Sequence, residues 1–172
     1  AIAYERFKTR FPSRFRSYRA RAFDAVRTDC TLCRDETEAH FVDMDLHSKI
    51  VIIDDLFLEV GSCNSNNRGL LYEGEMAAAV VDPAWVTAQR KRIFANLLGV
   101  AGDFGPNDFI KRLDAAATKN QGAYDRWDGE GMDFDLDGDA VPNGWVPTGF
   151  LYPLSFNPPD SCLIEDVGAD AT

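Results

Sequence analysis

Histidine is scarce in this chain: there are two, His40 and His47, among 172 residues. Cysteine is sparse as well, with Cys30, Cys33, Cys63 and Cys162 making up all four. Cys30 and Cys33 form one CxxC, but no second CxxC or His-x-x-His follows to complete a zinc site. A redox pair prefers a strand-to-helix setting, whereas this one lies in a polar stretch before a strand. We read it as chance spacing, and Cys63 as inert packing. Long apolar runs are missing; the longest span a handful of residues, against about 20 for a bilayer crossing. No basic segment followed by an apolar one opens the chain, so no signal peptide is visible. The chain starts at Ala1, and the expectation is a processed chain or a fragment. No internal repeat is visible.

Positive charge is in deficit, with 18 Lys+Arg against 28 Asp+Glu, a formal net charge of −10. The deficit is uneven. Residues 1–27 carry +6, which leaves −16 on the remainder. A basic segment of this kind can meet phosphate or a membrane. It is also aromatic: Tyr4, Phe7, Phe11, Phe15 and Tyr18 recur at helical spacing. Two uses fit, an arm on anionic lipid or nucleic acid, or a core stripe with solvated arginines behind it. Most periodic stripes are core, and that is the expectation here. The 45% apolar and 12% aromatic content fits a globular chain rather than a disordered one.

Periodicity predicts a helix over 3–19, broken at Pro12, and a strand over 22–27. Residues 28–38 read as a loop. Residues 41–53 alternate and read as one strand. Asp54-Asp55 is a turn, 56–60 the return strand of a hairpin, and 61–69 a Ser/Asn/Gly loop. Residues 75–81 read as a short buried strand. Asp82-Pro83 starts a helix to about Leu98, with Trp85, Ile93, Leu97 and Leu98 on its buried side. Pro106 opens another to about Lys119, with Phe109, Ile110 and Leu113 buried. From Gly122 onward Gly, Pro and Asp dominate, and little regular structure is expected. The fold class is α/β, a mixed β-sheet flanked by helices over 1–121, followed by an irregular acidic tail over 122–172.

Chemistry concentrates between His47 and Glu75. On a strand His47 and Lys49 share one side and Ile50 and Ile52 do not. A histidine beside a lysine is comfortable when an anion lies between them. The loop Gly61-Ser62-Cys63-Asn64-Ser65-Asn66 offers hydroxyl and amide donors, and Glu75 a carboxylate. Together they suit a phosphate group. Lys49 neutralises it, Ser62 and Asn64 hold its oxygens, His47 serves as nucleophile or acid, and Glu75 fixes the imidazole tautomer. Asn66 is a further candidate, and Arg68 supports the loop.

His47-Ser48-Lys49-Ile50-Val51-Ile52-Ile53-Asp54 resembles the H-x-K-x-x-x-x-D motif of the phospholipase D superfamily. Gly61-Ser62-Cys63-Asn64-Ser65-Asn66-Asn67-Arg68 is similar to that family's G-S-x-N-x-N-x-R segment, and Glu75 falls where the family has its histidine-pairing glutamate. The close likeness covers residues 45–82, in the manner of the C-terminal half of a bacterial two-lobed phospholipase D. The resemblance implies one lobe of that fold and a catalytic set of His47, Lys49, Asp54 and Glu75, with phosphate held by Lys49, Ser62, Asn64 and Asn66. It also implies hydrolysis or exchange of phospholipid head groups through a phosphohistidine, with no cofactor required. The substrate would be a phospholipid, met at a membrane surface by a chain without a transmembrane segment. Asp54 differs in parity from His47 and Lys49, so we expect it to hold the hairpin by hydrogen bonds or an ion pair.

In-line displacement at phosphorus puts nucleophile and leaving group on opposite sides, so a second histidine is needed. His40 is seven residues from His47; on one continuous strand it would face the other way and lie roughly 23 Å off, at about 3.3 Å per residue. We give it a structural role. The second imidazole then comes from a homodimer partner or from an N-terminal half. As a C-terminal half, His47 is the acid. Two alternatives stand beside the lipase. One is a dimeric nuclease, which the acidic balance disfavours. The other is a non-catalytic half that acts as a binding module. Asp133, Asp135, Asp137 and Asp139 alternate like the start of a calcium loop. Gly144 stands where an EF-hand needs its glutamate, so any calcium there is structural.

Overall fold

The computed structural model describes residues 2–28, 36–64, 71–102, 104–105, 108–134 and 141–154. In chain order the elements are α1 (Ile2–Arg10), β1 (Tyr18–Thr28), β2 (Glu36–Asp43), β3 (Lys49–Ile53), β4 (Phe57–Gly61), β5 (Ala77–Val80), α2 (Pro83–Leu98), α3 (Phe109–Gly129), β6 (Asp133–Phe134) and β7 (Leu151–Pro153). They fall into two compact units, one of Ala1–Arg16, Leu46–Arg92 and Ser155–Thr172, the other of Ser17–Asp45 and Ile93–Leu154. The fold is mixed α and β.

The second unit holds a sheet in the order β6-β2-β1-β7. Its register sets Phe23 opposite Phe41, and the two rings lie 4.9 Å apart. Helix α3 buries Leu113, Ala117, Asn120, Ala123 and Trp127, a stripe at spacings of three and four. Leu98, Phe104, Leu113, Ala117 and Leu151 form the core, with Tyr18, Phe94 and Phe109 packed on it. Asn120 is fully buried. Its amide donates to the carbonyls of Thr148 and Leu151, each at 2.9 Å, and accepts the Thr148 N–H at 2.8 Å. That side chain substitutes for a missing strand partner where the chain enters β7.

The first unit holds a three-stranded sheet in the order β3-β4-β5. Lys49–Ile53 is a β-branched run, as strands favour. Asp54 and Asp55 hold φ of 50° and 54°, and Leu56 N–H donates to Ile53 O at 2.9 Å. Two successive left-handed residues give the turn a twist that matches a hairpin. Asp82 caps α2, its Oδ1 accepting the Ala84 and Trp85 N–H groups at 3.0 and 3.1 Å. Buried side chains in this unit are Leu58, Val86 and Arg90.

Several expectations need correction. Residues 41–53 are not one strand: β2 ends at Asp43, residues 44–48 are irregular, and β3 begins at Lys49 in a different sheet. Asp45, His47 and Ser48 are weak strand formers and break the run. The single mixed sheet is replaced by two sheets, and every described pairing is antiparallel. A tight turn such as the one at Asp54-Asp55 can join no other kind. Helix α3 runs to Gly129 rather than Lys119, because buried Ala123 and Trp127 outweigh the roughly 1 kcal/mol cost of a helical glycine at 122. Trp85, expected on the covered side of α2, is 43% exposed and Val86 beside it is fully buried, whereas Leu98 is buried and Ile93 and Leu97 are half-buried. The aromatic stripe is not core in its first half: Phe7 is 50% and Phe11 39% exposed. Tyr18 belongs to β1, not to a helix.

Candidate functional site

Five of the residues singled out in the sequence, His47, Lys49, Ser62, Asn64 and Glu75, lie at one end of the β3-β4-β5 sheet, while Asp54 lies at the other end of β3, in the turn. The register pairs Lys49 with Gly61 and Gly61 with Ala77, a row across all three strands. His47 lies two residues before that row on the approach to β3. Ser62 and Asn64 lie one and three residues past it on the exit from β4, and Glu75 two residues before it on the approach to β5. Antiparallel order brings all of these to the same edge.

Gly61 makes the approach tight. A Cβ there would meet Met76 O at 3.0 Å and Ala77 Cβ at 3.1 Å, so any larger residue would press β5 away. With glycine in place, Ser62 N–H donates to Met76 O at 3.0 Å and Met76 N–H donates to Ser62 Oγ at 3.1 Å. The Ser62 hydroxyl also donates to the Glu75 carboxylate. Lys49 Nζ donates to the His47 carbonyl at 2.8 Å, which holds the irregular segment against the start of β3. His47 itself is exposed, Lys49 and Glu75 half-buried, and Ser62 and Asn64 exposed.

The partner expected for Glu75 was His47. Its hydrogen bond goes to Ser62 instead, and no hydrogen bond joins Glu75 to His47. The ion pair expected of Asp54 is made by its neighbour. Asp54 is exposed, while Asp55 receives both Nε and Nη2 of Arg90, the latter at 2.8 Å. That hydrogen-bonded guanidinium holds the Asp55 carboxyl below its ordinary value. Sequence reasoning missed Arg90. The available signal was its place four residues after Val86 on α2, where a stripe residue is expected to be apolar.

His40 lies on β2 opposite Asp24, exposed, with Nε2 at 3.7 Å from Glu38. Cys63 is half-buried, its Sγ at 3.4 Å from Asn64 O. Asn66, Arg68, Cys30, Cys33, Cys162 and the Asp135–137–139 carboxylates lie outside the described residues, as does the Asp133 side chain. Among the described residues no group of His, Cys, Asp or Glu could hold a metal ion, and no helix is long and apolar enough to cross a membrane.

The other unit carries a polar cluster that sequence reasoning also missed. Arg21 pairs with Asp43, and its guanidinium lies 4.6 Å from the Tyr124 ring centre and 5.7 Å from that of Tyr152. Arg19 Nε, Arg21 Nη1 and Tyr152 Oη are buried without a hydrogen-bond partner. Burial pushes the Tyr152 phenol up to about 12, against the pull of Arg21 and Arg19. The alternation of β1 could have placed Arg19 and Arg21 on one face, but nothing in the sequence marks that face as covered by tyrosines.

Comparison of the chain with protein-family models, with curated proteins and with solved structures finds no match in any of the three.

Proposed function

We propose that this chain is one catalytic lobe of a phospholipase D-type phosphodiesterase that acts on phospholipid head groups. The observation that supports the reading is the shared sheet edge: His47, Lys49, Ser62, Asn64 and Glu75 all flank the Lys49–Gly61–Ala77 row. A phosphate diester at that edge meets one cation and several neutral donors, a set that stabilises charge building on the equatorial oxygens.

In this reading one imidazole nitrogen attacks phosphorus, forming an N–P bond as the ester P–O bond breaks. The departing alkoxide takes a proton from the second imidazole. Water, or a second alcohol, then gives that proton back as its oxygen attacks phosphorus and the N–P bond breaks. His47 supplies one of the two imidazoles; the other comes from a second chain or an N-terminal half. A phosphate that captures the Ser62 hydroxyl releases the Glu75 carboxylate for the His47 ring.

The test is turnover of a chromogenic phosphodiester by the purified chain, beside His47→Asn of equal folded content. The expected result is turnover that disappears in the variant and rises more steeply than first order in protein, because the second imidazole arrives with another chain. Absence of turnover at every concentration overturns the view that this chain builds a site on its own. A second reading, a non-catalytic binding module, is favoured by the hydrogen bond that occupies Glu75 with Ser62. A persistent monomer that binds a phosphodiester without cleaving it supports that reading.

A further inference from the structure

We propose that residues 2–16 form a basic, aromatic arm that seats the chain on an anionic phospholipid surface. The proposal stands apart from the catalytic reading.

Residues 5–14 are exposed without a break, so these side chains are not part of a core. Phe7, Phe11 and Phe15 nevertheless cluster. The rings of Phe7 and Phe15 stack at 5.7 Å between centres, and Phe7 and Phe11 lie at 6.2 Å. The backbone keeps them in line past Pro12: Phe11 N–H donates to Phe7 O and Phe15 N–H to Phe11 O, both at 2.9 Å. The result is a joined apolar edge, with Phe7 50% and Phe11 39% exposed.

Charge surrounds that edge. Residues 1–16 hold five Lys+Arg and one Glu, a net +4 on a chain of −10. At about 100° per residue, Arg6 and Arg10 flank the phenylalanines on one side and Lys8 on the other. Glu5 and Thr9 lie behind. The Arg10 guanidinium sits 5.6 Å from the Phe11 ring centre. An apolar edge flanked by long cationic side chains is the arrangement that lies flat in a lipid interface, rings toward the acyl boundary and charges at phosphate level.

A nucleic acid fits less well. Single-stranded binders offer separate ring faces on which bases stack, whereas these rings are stacked on one another.

The experiment is sedimentation of the full chain with vesicles of phosphatidylcholine alone, or of phosphatidylcholine and phosphatidylserine in equal parts. It is read without turnover, so its failure and that of the phosphodiesterase reading are distinguishable. The expected result is binding to the phosphatidylserine vesicles, weakened by salt. Arg6→Gln with Arg10→Gln lowers it on the order of tenfold or more, and Phe7→Ser with Phe11→Ser abolishes it. These side chains are exposed, and unchanged circular dichroism confirms that the variants fold. Equal binding to neutral vesicles, full binding by either double variant, or binding of an oligonucleotide but of no vesicle overturns the proposal.

Discussion

Asp55, the second left-handed residue of the β3–β4 turn, is locked to Arg90 of α2 by two hydrogen bonds from one guanidinium. Arg90 is 4% exposed, so it is a buried charge with its counter-ion at the mouth of the turn. Removing the carboxylate takes this counter-ion away from a buried guanidinium. Asp55→Ala is expected to cost about 3 kcal/mol by denaturant melts, and Asp54→Ala, at the exposed neighbour, almost nothing. Equal costs for the two would sink this assignment.

The same pair sets an acid limit. Asp55 titrates below its ordinary value of 3.8, chiefly through the hydrogen bond from Arg90. A depressed carboxylate contributes stability that is complete above the unfolded value and lost as pH falls through the folded one. Stability of wild type is therefore expected to drop below about pH 4 more than that of Asp55→Ala. Parallel acid curves for the two proteins would show that the pair contributes nothing.

Gly61 connects packing to the site. A methyl group there meets the Met76 carbonyl and the Ala77 side chain at 3.0 and 3.1 Å, so β5 must shift by a few tenths of an ångström. Ser62 follows β4 and Glu75 precedes β5, the two strands that would part. On the proposed phosphodiesterase reading, Gly61→Ala is expected to cut turnover at least tenfold, from about 1.4 kcal/mol of lost transition-state stabilisation, with folded content retained. Unchanged kcat would mean that the close approach of β5 to Gly61 does not set the placing of Ser62 and Glu75 for turnover.

Asn120 serves three backbone groups from a fully buried position. Asn120→Leu keeps the branched heavy-atom skeleton and orphans the Thr148 N–H and the Thr148 and Leu151 carbonyls. The expected loss is about 3 kcal/mol or more, since each buried group left unpaired costs about 1–3 kcal/mol. A loss below about 1 kcal/mol would indicate that the β7 approach finds other partners.

Tyr152 gives the opposite sign. Its hydroxyl is buried and unpartnered, so Tyr152→Phe is expected to leave stability unchanged or raise it by about 1 kcal/mol. Burial favours the neutral phenol and lifts its titration from 10.0 to about 12. Stability is thus complete below the unfolded value and falls as pH rises through that interval; the phenylalanine variant is expected to lose this alkaline sensitivity. A clear loss of stability in Tyr152→Phe points to a bound water on the hydroxyl.

Local signals carried much of this structure. The β-branched run over 49–53, the Asp54-Asp55 turn and the Asp82-Pro83 helix start were legible because each depends on neighbours within a few residues. The placing of His47, Lys49, Ser62 and Glu75 at one end of the hairpin was legible from their spacing along the chain. What was hidden depends on distant partners. Asp45, His47 and Ser48 mark a break within residues 41–53, but nothing there says that the two halves join different sheets, because that choice is made by β1 and β4. Asp54 and Asp55 are identical side chains one residue apart, and only the position of Arg90 decides which is paired. Glu75 met Ser62 rather than His47 for a similar reason: the close passage of β5 over Gly61 is a tertiary fact.

The β3-β4-β5 sheet leaves Ile50 and Val60 half in water on one face and Val51 and Ile53 on the other. Three short strands with both faces wetted have little to oppose fraying or the arrival of another strand. Protein concentration therefore becomes a structural variable. A dilute sample and a concentrated one present different amounts of naked sheet, and light scattering along a dilution series should accompany every activity and vesicle measurement made on this chain.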